Sequence, residues 1–130
     1  MLVIDDDDDF RSSVKALLDD EGYEVVEAAD GSSGLAALTA HDPDLVVLDV
    51  MLESPEAGYR LNRAIRYRDE YERHRAVPII MVSAIQETPD ERIGAVGGEV
   101  MGPDRYLTKP LDVPKFLRLV ERLSSPNQTR

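Results

Sequence analysis

Five short apolar runs alternate along this 130-residue chain with longer stretches of helical periodicity. This alternation is typical of a parallel sheet built from strand–helix–strand units. The third and fourth runs are apolar throughout, as expected of central strands that helices cover on both faces. The predicted strands are residues 2–4, 23–26, 45–48, 78–82 and 105–107. The sequence therefore predicts a single doubly wound α/β domain, with helices on both faces of a five-stranded parallel sheet.

The helices are predicted from apolar spacing and from capping residues. The first should use Asp9 as its N-cap and end near Gly22, with Phe10, Val14, Leu17 and Leu18 facing inward. The second opens after Asp30 and stops before Asp42, burying Leu35 and Leu38. The third runs from about Tyr59 to Arg75, with Leu61, Ala64 and Ile65 inward.

The last helix carries Pro114 in its first turn, where a missing N–H costs little. Its predicted inward residues are Val113, Phe116, Leu117, Val120 and Leu123. Between the fourth and fifth strands, glycines interrupt residues 94–102, so a short or irregular helix is expected there. Residues 124–130 form a polar C-terminal tail.

The chain is strongly acidic, with 15 Lys and Arg against 26 Asp and Glu, a net charge of −11 and a pI near 4.5. This balance argues against direct nucleic-acid binding, which uses clustered cations. Residues 5–9 are five consecutive aspartates and supply almost half of the excess. Cysteine is absent, and no apolar stretch approaches the roughly 18 residues of a membrane span. We expect a cytoplasmic protein with no membrane partner.

Polar side chains follow four of the predicted strands, at the edge where an open parallel sheet binds ligands. Asp5 and Asp6 follow the first strand, Asp49 the third, Ser83 the fourth and Lys109 the fifth. Two like charges 4 Å apart cost about 4 kcal/mol at an effective dielectric of 20, so three gathered carboxylates call for a cation. Mg²⁺ prefers such oxygen ligands, and the lysine and hydroxyl would complete a cradle for a phosphoryl group.

Taken together, the strand-end motifs resemble the receiver domain of two-component response regulators. The motifs are VIDD at residues 3–6, LVVLDVM at 45–51, IMVSA at 80–84 and YLTKP at 106–110. The resemblance implies a receiver domain over residues 1–123, with a flavodoxin-like sheet of order 2-1-3-4-5. It also implies a phosphorylation-dependent signalling switch rather than an enzyme, phosphorylated by a histidine kinase or phosphotransfer protein.

The resemblance further implies a role for each matching residue. Asp49 matches the phosphoacceptor, whose carboxylate attacks phosphorus to give an acyl phosphate. Asp6 and Asp49 match the direct Mg²⁺ ligands, with the backbone carbonyl of Met51 as a third and Asp5 acting largely through water. Lys109 matches the lysine that pairs with the phosphoryl group.

Two further residues match the family's switch positions. Ser83 matches the hydroxyl that turns toward the phosphoryl oxygens, and Tyr106 matches the aromatic whose rotamer reports the phosphorylation state. The Lys109-Pro110 peptide bond matches one that is often cis in the family.

The sequence departs from the family pattern in two places. The family usually has Met-Leu-Pro after the phosphoacceptor and a glycine eight residues beyond it. Here Leu52-Glu53-Ser54-Pro55 intervenes, and Gly58 lies nine residues beyond Asp49. The second departure is the glycine-rich stretch at 94–102, where the family has an ordinary fourth helix.

Simpler explanations exist for several of these residues. A block of aspartates is usually solvated, and we assign that role to Asp7 and Asp8. A calcium loop starting at Asp5 fails, because Phe10 stands where glycine is needed and Ala16 where a glutamate belongs. Ser83, Lys109 and Tyr106 would each be ordinary if taken alone. His41 and His74 are predicted to be surface residues.

Two other functions compete with the switch. One is a receiver-like binding module that no longer depends on phosphorylation. The other is a Mg²⁺-dependent phosphatase with an aspartyl nucleophile, which would usually carry a cap domain. For the switch, we expect output through a downstream protein or a fused output domain, and a homodimer is possible.

Overall fold

The computed structural model describes residues 1–52, 56–83 and 104–124. Along the chain lie β1 (Leu2–Ile4), α1 (Asp8–Asp20), β2 (Val26–Ala28), α2 (Gly31–His41), β3 (Val46–Asp49), α3 (Ala57–Tyr67), a 3₁₀ helix (Asp69–His74), β4 (Ile79–Ser83), β5 (Arg105–Thr108) and α4 (Val113–Ser124). The five strands form one parallel sheet in the order β2-β1-β3-β4-β5. The predicted fold class and strand order are confirmed.

The central strands β1, β3 and β4 are buried along their whole length. Side chains alternate between the two faces, so each face builds its own core. One core contains Leu2, Ile4, Val46, Leu48, Ile79 and Met81, and the other contains Val3, Val47, Ile80, Val82, Phe116 and Val120. Burial on both faces explains why these strands read as continuous apolar runs.

Helix α2 lies close to the sheet because Gly34 faces β1. A Cβ on Gly34 would come within 2.7 Å of Ile4 Cδ1, nearer than such contacts normally allow. Asp30 caps this helix by accepting a hydrogen bond from the Ser33 amide at 2.8 Å, as predicted. Each helix within the described ranges is too short or too polar to span a bilayer.

Three predicted boundaries differ from the structure. Strand β2 begins at Val26 rather than Tyr23, because the chain turns at Gly22 (φ +89°) and the Tyr23 amide still bonds to Leu18 of α1. Helix α1 is capped by Asp7 rather than Asp9, since Asp7 Oδ1 accepts the amides of residues 9 and 10. The predicted third helix ends at Tyr67, and a 3₁₀ helix follows.

Two predicted burial states and one predicted surface role also need correction. His74 is buried rather than on the surface, and its Nδ1 lies 3.2 Å from Asp42 Oδ1 at the end of α2. Val113 is exposed, because it stands at the first position of α4, beyond the sheet. Asp8 is not merely solvated, since it forms an ion pair with Arg11. The predicted irregular helix at 94–102 and residues 125–130 of the tail lie outside the described residues.

A buried arginine joins α3 to the start of β4. The Arg66 guanidinium donates to the carbonyl oxygens of Arg75 and Val77, at 2.6 and 2.8 Å, and to Asp104 Oδ2 at 3.1 Å. Asp104 Oδ2 also accepts the Ile79 amide at 2.8 Å. One side chain therefore fixes the segment that leads into the central strand β4.

We predict that Arg66→Met lowers the free energy of unfolding by about 2–3 kcal/mol, because two carbonyl oxygens and a carboxylate lose a charged donor. Urea unfolding monitored by circular dichroism measures this change. Arg63→Met on the exposed side of the same helix is the control and should stay within about 0.5 kcal/mol of wild type. Equal effects of the two substitutions would contradict this role for Arg66.

Candidate functional site

The carboxyl ends of β1 and β3 lie side by side and bring three aspartates together. Ile4 pairs with Leu48, so Asp5, Asp6 and Asp49 emerge at the same edge of the sheet. One carboxylate oxygen from each lies within 4.8 Å of the other two. Asp5 and Asp49 are buried, whereas Asp6 is exposed. The pairing of β1 with β3 thus brings the sequence-predicted cluster together.

Lys109 reaches the cluster from the end of β5. Its Nζ lies 3.2 Å from Asp5 Oδ2 and 3.8 Å from Asp49 Oδ1. Its amide donates to the Ser83 carbonyl at 2.8 Å, which fixes the start of the side chain. The Lys109-Pro110 peptide bond is cis, as the resemblance implies.

The carboxylates at this edge are costly to ionise. Burial raises the pKa of Asp49 to about 7, and the neighbouring charge of Asp5 adds to this effect while Lys109 opposes it. Burial also raises the pKa of Asp5, although the Asp7 amide, 2.9 Å from Asp5 Oδ1, and Lys109 favour its charged form. Three carboxylates thus face a single ammonium, and a divalent cation would offset the remaining negative charge.

The donor set fits Mg²⁺, which takes hard oxygen ligands and is commonly held by a few carboxylates and water. Asp6 is exposed, which leaves one side of the cluster open to solvent for water ligands. Met51 follows two residues after Asp49, is 42% exposed, and directs its amide to the Asp49 carboxylate. A role for the Met51 carbonyl as a ligand stays a prediction.

Ser83 and Tyr106 lie at different distances from this edge. Ser83 ends β4, one residue beyond the partner of Asp49 in the sheet, and is buried. Its Oγ has no hydrogen-bond partner among the residues that the structure describes. Tyr106 pairs with Met81 inside the sheet and is half-buried against the core of Leu2 and Ile4. The switch roles of both residues stay predictions.

Gly58 shows how the longer loop after Asp49 is accommodated. A Cβ on Gly58 would stand 2.3 Å from the Asp49 carbonyl oxygen and 2.6 Å from Val50 Cα. The Gly58 amide donates to the Val50 carbonyl at 2.8 Å. The glycine therefore seats the start of α3 against the backbone of the site, although it lies nine residues after Asp49. Residues 53–55 of the loop lie outside the described ranges.

Sequence reasoning missed two contributors to the site. The Asp7 amide binds the Asp5 carboxylate, and Arg11 Nη1 donates to the Asp5 carbonyl at 2.6 Å. Arg11 Nε also lies 3.1 Å from Glu27 Oε1 on β2, so Arg11 joins α1 both to β2 and to the backbone of Asp5. The sequence gives no signal of the contact between Arg11 and the Asp5 carbonyl, because an arginine close to several acids is equally expected to form a solvated ion pair.

A family model described as the response regulator receiver domain matches residues 1–121. The chain belongs to this family. A receiver domain is generally a signalling domain.

Curated relatives and solved structures agree with this membership. The DNA-binding dual master transcriptional regulator RpaA of Synechocystis is 37% identical over 95% of this chain and 48% of its own length. Transcriptional regulatory protein CseB of Streptomyces avermitilis is 36% identical over 98% of this chain and 52% of its own length. The receiver domain of NtrX from Brucella abortus superposes with a TM-score of 0.78 at 30% identity, over 97% of this chain and 98% of that one. The chain spans about half the length of the curated relatives it matches.

We predict that the cation-free receiver domain loses stability as the pH rises. The folded pKa of Asp49, about 7, lies above that of an unfolded aspartate, near 4, so the folded state holds this proton more tightly. Its stabilising effect is complete below pH 4 and is lost as the pH rises through about 7. Asp49→Asn should therefore exceed wild type in stability at pH 8 by on the order of 2 kcal/mol, and by much less at pH 4.

Urea unfolding in a chelator at both pH values measures this difference. Asp9→Asn, an exposed position in the same acidic run, is the control and should follow the wild-type profile. Parallel pH profiles for wild type and Asp49→Asn would contradict the assignment.

Proposed function

We propose that this receiver domain is a phosphorylation-dependent switch that accepts a phosphoryl group on Asp49 in a Mg²⁺-dependent reaction. The observation that supports it most is the cluster of Asp5, Asp6 and Asp49 with Lys109 within ion-pair distance of two of them. The expected phosphodonor is a histidine kinase or a phosphotransfer protein, and the expected location of the reaction is the cytoplasm.

The proposed chemistry is a displacement at phosphorus. A carboxylate oxygen of Asp49 forms a bond to phosphorus, the bond from phosphorus to the donor histidine nitrogen breaks, and the imidazole leaves with the electron pair. Bound Mg²⁺, held by Asp6, Asp49 and the Met51 carbonyl, would neutralise charge on the transferring phosphoryl oxygens. The carboxylate must be ionised to attack, and Lys109 favours that form.

The residues around Asp49 then respond to the new charge. Lys109, 3.8 Å from the Asp49 carboxylate, would donate to a phosphoryl oxygen. The buried Ser83 hydroxyl has no hydrogen-bond partner in the described part of the chain, and it would turn to a second phosphoryl oxygen. Tyr106, on the strand that leads to Lys109, would change rotamer and alter the surface beside β5. The acyl phosphate thereby shifts the population between two conformations.

The signal would leave the domain through protein contacts rather than through nucleic acid. The relatives named above are transcriptional regulators about twice as long as this chain. We therefore propose a fused output domain or a downstream protein as the recipient, with a homodimer as a further form. In this account the domain assists its own phosphorylation and dephosphorylation and is not a turnover enzyme.

We predict that acetyl phosphate with Mg²⁺ adds one phosphoryl group to the protein, measured by intact mass spectrometry. The adduct should disappear when Mg²⁺ is chelated, because the positive charge that neutralises the phosphodonor is then missing. It should also disappear in Asp49→Asn, because the nucleophilic carboxylate oxygen is then missing. Asp44→Asn, at the opposite end of β3 and exposed, is a matched control that should retain the adduct.

Two outcomes would favour the competing functions. If wild type gains no mass and calorimetry detects no beryllofluoride binding, a phosphorylation-independent binding module is the better explanation. Continuous turnover of a generic phosphate monoester would favour the phosphatase.

We predict that Asp6→Asn weakens Mg²⁺ binding by about tenfold or more, since it removes one charge and one ligand oxygen from the open side of the cluster. Isothermal titration calorimetry with MgCl₂ measures the affinity. Asp9→Asn makes the same chemical change three residues along the same acidic run and should leave the affinity within about twofold. Equal weakening by both substitutions would point to general electrostatics instead of coordination by Asp6.

A further inference from the structure

An aromatic ring lies beside the ammonium of Lys109. Lys109 Nζ lies 4.3 Å from the centroid of the Phe10 ring, within the range of a cation–π contact. Phe10 is near the start of α1, only half-buried, and packs on the core that contains Val14 and Phe116. It comes from a different element than the carboxylates that the lysine also approaches.

The three contacts of the ammonium differ in kind. Asp5 and Asp49 attract it with full charges, and either can draw it away from the position that a phosphoryl group requires. The ring face attracts a cation but offers no anionic oxygen, so it does not compete with a phosphoryl oxygen for the ammonium's N–H groups. A lysine side chain is flexible, because its ammonium stands on a four-carbon stem. The Lys109 side chain is 24% exposed, so the residues packed around it restrict where the ammonium can lie.

We propose that Phe10 is a positioning residue for Lys109. Its ring holds the ammonium between the Asp5 and Asp49 carboxylates before phosphorylation and keeps it facing the phosphoryl oxygens afterwards. This inference rests on the proposed function, because it assigns Phe10 an effect on the same reaction. Phe10 would act on the reaction through Lys109.

A purely structural role would require only an apolar side chain at this position. The helical spacing of Phe10 with Val14 and Leu18 predicts such a role, and leucine would satisfy it. Leucine has no ring face, whereas tyrosine retains one. Comparing Phe10→Leu with Phe10→Tyr therefore separates packing from the cation–π contact.

The contact itself can be measured without phosphorylation. The chain has only three lysines, Lys15, Lys109 and Lys115, so their methylene proton signals can be assigned with Lys109→Arg. We expect an upfield ring-current shift of the Lys109 ε-methylene protons in wild type and Phe10→Tyr, and its loss in Phe10→Leu. A wild-type spectrum without this shift would overturn the inference.

The functional effect is measured as the rate of adduct formation with acetyl phosphate and Mg²⁺. Phe10→Leu should slow this rate about two- to fivefold, the factor that corresponds to a partly exposed cation–π contact, and Phe10→Tyr should restore it. Tyr23→Leu is the matched control, since it removes another half-buried aromatic from the same core, at the opposite end of α1 from Phe10. Thermal unfolding of each variant shows that it is folded at the assay temperature.

The outcomes separate the two proposals. If wild type forms no adduct, the proposed function fails. If wild type forms the adduct and Phe10→Leu forms it at the same rate, only the role of Phe10 fails. A rate loss in Tyr23→Leu equal to that in Phe10→Leu would also overturn the inference, because general packing would then explain both.

Discussion

The site depends on one electrostatic constraint, the gathering of Asp5, Asp6 and Asp49 where two parallel strands end side by side. Strand pairing fixes the separation of the backbone positions that carry them, because β1 and β3 are buried along their whole length. The fold therefore holds negative charge at a site that is largely shielded from solvent, and this burial raises the pKa of Asp49. A group that lowers this cost, whether a proton, Lys109 or a divalent cation, binds more tightly because the backbone does not relax.

The surrounding elements are arranged to keep this cluster in place. Gly58 lets α3 begin against the backbone of Asp49, and Arg11 fixes the Asp5 carbonyl while contacting β2. The Lys109 amide bonds to Ser83, so the lysine and the serine hydroxyl share one backbone connection between β5 and β4. Short, specific contacts therefore connect the cluster to α1, to α3 and to the neighbouring strands.

The strand-end residues could be predicted because each follows a short apolar run, which is a signal local in sequence. The N-cap of α1 could not, since five identical aspartates are equally suitable and only the end of β1 selects Asp7. The burial of His74 depends on a 3₁₀ helix that carries it back to Asp42, which is a tertiary contact without a local pattern. Phe10 shows the same limit, because its spacing reveals an inward face but not the lysine that the ring meets.

The five-aspartate run illustrates why total charge is a poor guide to chemistry. Its members have identical side chains, yet Asp5 lies buried in the cluster, Asp6 at its open side, Asp7 at a helix cap and Asp8 in an ion pair with Arg11. Only the first two are close enough to Asp49 to share a cation with it. The net charge of −11 therefore describes the chain as a whole, whereas a cation at this edge would meet three carboxylates and the lysine that faces them.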